Sequence, residues 1–213
     1  AGFSSSDAVE RARAYLRPAE DYVPQSVEQL RGIAEGATVP FDRLFALNCS
    51  EEFTCAADAA WPREHCTSFA VVAGGRAVSG HNEDWYPEEI EGQTIRKVRL
   101  TGRWGSAAYI SAGPAYDLPL TGVTAAGFTS TANTVYYRDE RVGVPNNFLL
   151  AAVLAQPDLE RARELITRAP RARGSNHLLC DARGRVWDIE TSGERWALVD
   201  GALQPLEGRG EVG

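Results

Sequence analysis

The feature that most limits how this chain can fold is the stretch from Cys66 to Trp85, in which two strand-like runs flank Gly74-Gly75. Cys66-Thr67-Ser68-Phe69-Ala70-Val71-Val72-Ala73 has the apolar, β-branched character of a strand, and Arg76-Ala77-Val78-Ser79-Gly80 that of a second. With a two-glycine turn between them they form a hairpin. It returns Gly80-His81-Asn82-Glu83-Asp84-Trp85 toward Cys66, with Asp84 eighteen residues on.

A cysteine at the head of such a strand, with a carboxylate brought back beside it, suits attack by a thiolate on an acyl carbonyl. If the peptide bond between His65 and Cys66 is cut, the freed α-amino group has an unperturbed pKa of roughly 7.7 to 8.0. It can take the thiol proton within the same residue. Asp84 is then expected to hold and tune that amino group, as a third group orients the base in other triads.

These segments resemble the acyl-coenzyme A:6-aminopenicillanic acid acyltransferase and carcinine hydrolase group of N-terminal nucleophile (Ntn) hydrolases. Cys66-Thr67-Ser68-Phe69 matches the family's Cys-Thr-x-Phe/Ala strand, and Gly80 to Trp85 its Gly-x-Asn-x-Asp-Trp turn. Leu47-Asn48-Cys49-Ser50-Glu51 is similar to the helix end before the cleavage site. Gly122 to Gly127 is similar to a Gly-x-Asn-x-x-Gly strand pair. Ser175 to Asp181, followed by Gly184 and Ile189-Glu190, is similar to the strand whose asparagine lines the oxyanion hole, which implies that role for Asn176.

The chain also departs from the pattern. His65 stands where the family often has glycine, and Thr124 where it often has asparagine. Relatives continue past the equivalent of Gly213 with a His-Thr-Asn-His segment, further strands and an active-site arginine, and they open with a Gly-x-x-x-Glu-x-Gly segment before the equivalent of Ala1. The sequence contains no Met and opens Ala1-Gly2-Phe3, as expected of a fragment or a processed product. The implied fold is therefore α+β, the Ntn four-layer αββα sandwich of two antiparallel sheets flanked by helices, incomplete at both ends.

Composition narrows the function further. The 213 residues suit one domain, divided by the expected cleavage into a helical segment 1–65 and a β-rich catalytic segment 66–213. With 22 basic against 29 acidic residues and no basic stripe, nucleic-acid binding is unsupported. No apolar run approaches the roughly 18 residues of a membrane span, and the first residues show no targeting region. A cytoplasmic enzyme is expected. Cys49, Cys55, Cys66 and Cys180 contain no Cys-x-x-Cys, so neither a metal site nor a cofactor is expected. Cys49 and Cys180 read as buried free thiols.

The pattern is helical first and mostly β afterwards. Helices are expected over residues 7–17, 24–35 and 41–48, and a linker over 58–64 before the scissile bond. From Cys66 alternation dominates, interrupted by two helices over 146–155 and 159–167, separated by Gln156-Pro157-Asp158.

Around the nucleophile, Asn176 is the expected side-chain donor to the oxyanion, and a main-chain N–H of Asn82 or Glu83 a second donor. His81 and Asn82 are candidates for the substrate pocket. Glu83 and Trp85, placed on the strand face opposite Asp84, are expected to shape its wall, with Trp104, Tyr136 and Tyr137 as further aromatic candidates.

The substrate expected is a linear amide of a small N-acyl compound, cleaved through a thioester to water or passed to an amine acceptor, with an acyl-CoA as an alternative donor. Self-association stays open. Three readings compete: an inactive or truncated relative acting as a binding protein, a sandwich module that needs neither Cys66 nor Asp84, and a papain-like protease using His177.

Overall fold

The computed structural model describes residues 5–54, 66–84, 87–103, 105–135 and 137–201. Four helices open the chain: α1 (Ser5–Tyr22), α2 (Pro24–Ala37), α3 (Phe41–Leu47) and α4 (Ser50–Thr54). The sequence stops α1 before Pro18, yet the helix runs through it. A proline inside a helix removes one main-chain hydrogen bond. Burial of Ala12, Ala19 and, just beyond the helix, Val23 along one face holds α1 on course. Pro24, with its φ already helical, then opens α2. At the end of α3 the buried Asn48 side chain donates to the carbonyls of Leu44 and Tyr116 and accepts from the Leu118 N–H. This ties the helical layer to a loop of the sheet.

The strands are β1 (Cys66–Ala73), β2 (Arg76–Glu83), β3 (Gln93–Leu100), β4 (Ala107–Pro114), β5 (Thr121–Thr124), β6 (Phe128–Asn133), β7 (Ser175–Asp181), β8 (Val186–Thr191) and β9 (Trp196–Asp200). A short 3-10 turn, Pro87–Gly92, leads into β3. β1 and β2 form a two-stranded antiparallel sheet. β3 to β9 form a seven-stranded antiparallel sheet in sequential order.

The long connection from β6 to β7 carries α5 (Asn146–Leu154) and α6 (Leu159–Arg168). Asp158 starts α6 by accepting from the Arg161 N–H. α5 is buried on every side, with Phe148, Leu149 and Leu154 at 1% exposure or less, and lies between the sheet and the first three helices. Its neighbours in that core include Val27, Leu30 and Phe45.

The hairpin covers the other face of the large sheet over β6 and β7. Ala70 and Ala77 pack on Leu178, Cys180 and Val186, and the Ser79 and Thr129 hydroxyls share a hydrogen bond of 2.8 Å. The two sheets therefore lie face to face, with helices behind the larger one. Phe69, Val71 and Val78, on the outer face of the hairpin, are more than half exposed. No described helix is long and apolar enough to cross a membrane.

Candidate active site

The hairpin register fixes what surrounds Cys66. The two-residue turn pairs Ala73 with Arg76, and counting outward brings Cys66 opposite Glu83, Ser68 opposite His81 and Ala70 opposite Ser79. Because side chains alternate along a strand, all six point toward the large sheet. The Cys66 thiol donates to Glu83 Oε2 at 3.2 Å, His81 Nε2 lies 2.9 Å from Glu83 Oε1, and His81 Nδ1 lies 2.9 Å from Ser68 Oγ.

Burial pushes the Cys66 thiol up to about 12, and the neighbouring Glu83 charge adds to the shift. The main-chain N–H groups of Asp84 and Thr134 reach the sulfur and act in the opposite direction. In this arrangement the sulfur is a protonated, hydrogen-bonded thiol.

The large sheet supplies a polar row beneath the hairpin. Ser68 donates to Asn133 Oδ1 at 3.1 Å, Thr131 donates to Ser68 Oγ at 2.9 Å, and Asn133 Nδ2 donates to Asn176 Oδ1 at 2.8 Å. Asn176 in turn donates to the Asp188 carboxylate. The end of β6 is also tied to the helical layer. Thr134, whose N–H faces the Cys66 sulfur, bonds through its hydroxyl to Glu51 on α4 at 3.4 Å. Glu51 pairs with the buried Arg173 guanidinium, whose Nε lies 3.5 Å from the buried Glu52 carboxylate. The Asn146 N–H at the head of α5 donates to that same Glu52 at 2.7 Å.

The sequence expectations land unevenly. Cys66, His81 and Glu83 come together. Glu83 shares the face of Cys66 and bonds its thiol. The Asp84 carboxylate, expected to hold the α-amino group of a cleaved Cys66, accepts from Asn82 Nδ2 at 2.9 Å in this chain. Asn82 sits on the outer face, opposite Thr67. Both polar atoms of the Asn176 amide are engaged within the sheet. His65, Trp85, Trp104, Tyr136 and Cys55 lie outside the described residues, as does the linker.

Cys49 and Cys180 are buried free thiols. His177 follows Asn176 and so faces the helices, fully buried, which removes it as a papain-like partner for Cys66. Asn133 and Ser68 were not anticipated. No motif marks them, because their role comes from one sheet lying on another.

A groove of about 660 Å³ opens where the row reaches β8, lined by Tyr137, Arg138, Asp139, Glu190, Arg195 and Trp196. Glu190 is the strand partner of Asn176 and accepts from the Tyr137 hydroxyl. Gly174 permits this packing, since a Cβ there would stand 2.3 Å from the Tyr137 ring and from the Thr191 carbonyl oxygen.

Two face-to-face antiparallel sheets with helices behind the larger one, and a cysteine at the head of the hairpin strand, define an α+β protein of Ntn-hydrolase type. The sequence model of the acyl-coenzyme A:6-aminopenicillanic acid acyl-transferase family matches residues 71–195, more than half of the chain. The chain belongs to this family. The matched span contains His81 to Asp84, Asn133 and Asn176 and begins after Cys66.

Among solved structures, a mutant of conjugated bile acid hydrolase from Clostridium perfringens is similar at 16% identity and TM-score 0.48, over 65% of this chain and 51% of that one. Penicillin V acylase from Agrobacterium tumefaciens is similar at 14% identity and TM-score 0.45, over 63% of this chain and 49% of that one. The chain thus spans about half the length of these proteins. Among curated protein sequences, none matches it.

Proposed function

We propose that this chain is the precursor of an amidohydrolase or N-acyltransferase whose nucleophile is Cys66, exposed as a new N-terminus by self-cleavage between His65 and Cys66. The observation that carries the reading is the setting of Cys66. Its sulfur stands at the head of a strand with a carboxylate across from it and two main-chain N–H groups directed at it. Such N–H groups stabilise negative charge on a sulfur or on an oxyanion formed beside it.

The raised thiol explains why cleavage matters. In the uncleaved chain burial and a neighbouring negative charge keep the proton on the sulfur. Once residues 1–65 and 66–213 are separate chains, the α-amino group of Cys66 supplies a base within the residue. Asp84, whose N–H already reaches the sulfur, is the carboxylate next along to orient that amine. Attack on a linear amide gives a thioester and releases the amine. Water then yields the free acid, whereas a second amine yields acyl transfer.

Asn176 is assigned to the oxyanion, a role that requires its amide to leave Asp188. The groove beyond it is the assigned seat for the amine or acyl portion of a small N-acyl substrate. Intact-mass measurement of the purified protein, with N-terminal sequencing of any fragments, tests the proposal. A fragment starting at Cys66 supports it. A single chain that stays uncleaved and inactive toward N-acyl amides overturns it in favour of an inactive relative, the reading that the protonated thiol also fits.

A further inference from the structure

The hydrogen bonds around Ser68 fix how His81 is presented. Asp188, as a carboxylate, only accepts, so Asn176 turns its amide nitrogen to it and its Oδ1 to Asn133. Asn133 must then offer Oδ1 to Ser68, whose hydroxyl donates to it. That uses the one proton of Ser68, and Thr131 already donates into the same oxygen. His81 Nδ1, 2.9 Å from Ser68 Oγ, therefore carries a proton and donates it there.

In a neutral imidazole of that tautomer, Nε2 is a bare lone pair. It faces Glu83 Oε1 at 2.9 Å, and the other oxygen of the same carboxylate faces the Cys66 sulfur at 3.2 Å. Two acceptors this close repel one another unless positive charge lies between them. A proton on Nε2 meets that need, and so does a cation.

We propose that Cys66, His81 and Glu83 form a binding site for a thiophilic divalent cation, Zn²⁺ being the ion that their sulfur, nitrogen and oxygen donors suit best. The three donor atoms lie within 4.8 Å of one another among the described residues. Ligand atoms around tetrahedral zinc stand roughly 3.3 to 3.8 Å apart, as bond lengths of about 2.0 to 2.3 Å require. The widest gap therefore closes by about 1 Å, a movement open to Glu83, whose side chain is 46% exposed.

The Nδ1–H bond to Ser68 is the outer partner that a metal-bound imidazole ordinarily has. On binding, the thiol proton leaves to solvent and the sulfur coordinates as thiolate, with the fourth position open to water. Binding is independent of the proposed reaction. Its consequence, reversible blocking of the nucleophile, rests on that reading and makes the ion an inhibitor, not a cofactor.

The test uses the full chain, stripped with EDTA, titrated with Zn²⁺ against a chromophoric chelator and with Co²⁺ for a thiolate charge-transfer band. A single site is expected, weakened at least about tenfold by Cys66→Ser, His81→Ala or Glu83→Gln and about 10- to 100-fold by Ser68→Ala. Thr67→Ala, on the outer face of β1, should leave affinity unchanged. Each variant is first checked for a wild-type melting transition.

No binding by the wild type, or unchanged binding by folded Cys66→Ser, overturns the proposal. Tight binding by a chain that never cleaves upholds this site and removes the enzymatic reading. An active, cleaved enzyme indifferent to Zn²⁺ does the reverse.

Discussion

Cys66 lies directly across the hairpin from Glu83, and its thiol donates to the Glu83 carboxylate at 3.2 Å. One strand pair thus fixes both the proposed nucleophile and the carboxylate that its thiol bonds. The supports of that arrangement can be perturbed separately.

Cys66→Ala should abolish both fragment formation and turnover. Cys66→Ser keeps a hydroxyl and should cleave slowly, with turnover down by at least about 1,000-fold, the scale on which enzymes respond to loss of a nucleophile. Time-resolved intact mass and amide hydrolysis of the same samples measure the two effects separately. Wild-type turnover by the alanine variant would remove Cys66 from the mechanism.

Asn176→Ala should lower kcat by about 100- to 1,000-fold if its amide serves the oxyanion. It also leaves Asn133 short of a partner, which costs about 1 to 3 kcal/mol. Asn133→Ala carries a similar stability cost through Ser68 and Asn176. Kinetics and thermal melting should therefore separate the pair: both lose stability, and Asn176→Ala loses more turnover.

Arg173→Leu strips Glu51 and Glu52 of their buried counter-charge and should cost about 3 to 5 kcal/mol. The damage should reach Cys66. Glu51 holds Thr134, whose N–H faces the Cys66 sulfur, so self-cleavage of the folded fraction should slow as well. Unchanged cleavage kinetics would show that the salt-bridge node supports the fold alone.

His177 gives a pH prediction. Burial, with Arg171 and Arg173 adding repulsion, pushes it down from 6.5 to about 3, and neither ring nitrogen has a hydrogen-bond partner among the described residues. Between those values the unfolded chain holds the extra proton. This contribution to stability is thus complete above pH 6.5 and is lost as pH falls toward 3, on the order of 5 kcal/mol in all.

Glu52, which burial pushes up from 4.5 to about 7, has the opposite sign: its contribution is greatest below pH 4.5 and is lost as pH rises toward 7. Denaturant melts of wild type and His177→Leu across the range should isolate the histidine as a difference. The variant should resist acid better and, with no unpaired ring nitrogen to bury, should be no less stable at neutral pH.

Local chemistry made much of this legible in the sequence. Gly74-Gly75 announced the hairpin, Pro24 and Asp158 their helices, and Cys66 the head of a strand. Glu83 was within reach as well, since a two-residue turn closing 73 on 76 brings 66 onto 83. The family's spacing pointed to Asp84, one residue on, for a different partner, the α-amino group of a cleaved Cys66. Pro18 misled because burial of Ala19 and Val23 outweighs one lost hydrogen bond. Ser68, Asn133 and Asp188 carried no signal, for they meet only where the hairpin docks on β6 and β7.

Strands β3 to β9 each pair with the next in sequence, so β3 to β6 and β7 to β9 can each assemble from neighbouring segments with short loops to close, and only the helical connection between β6 and β7 is long. The hairpin is different. It closes on itself, but the Thr134 N–H, Asn133 and Thr131 reach its inner face only after it has been laid on a sheet that already exists. A chain caught midway through folding holds its thiol in an unfinished setting. If the 65–66 bond is cut by that setting, the cut becomes a record of completed assembly, and the fraction of cleaved chains in a cell counts the molecules that folded.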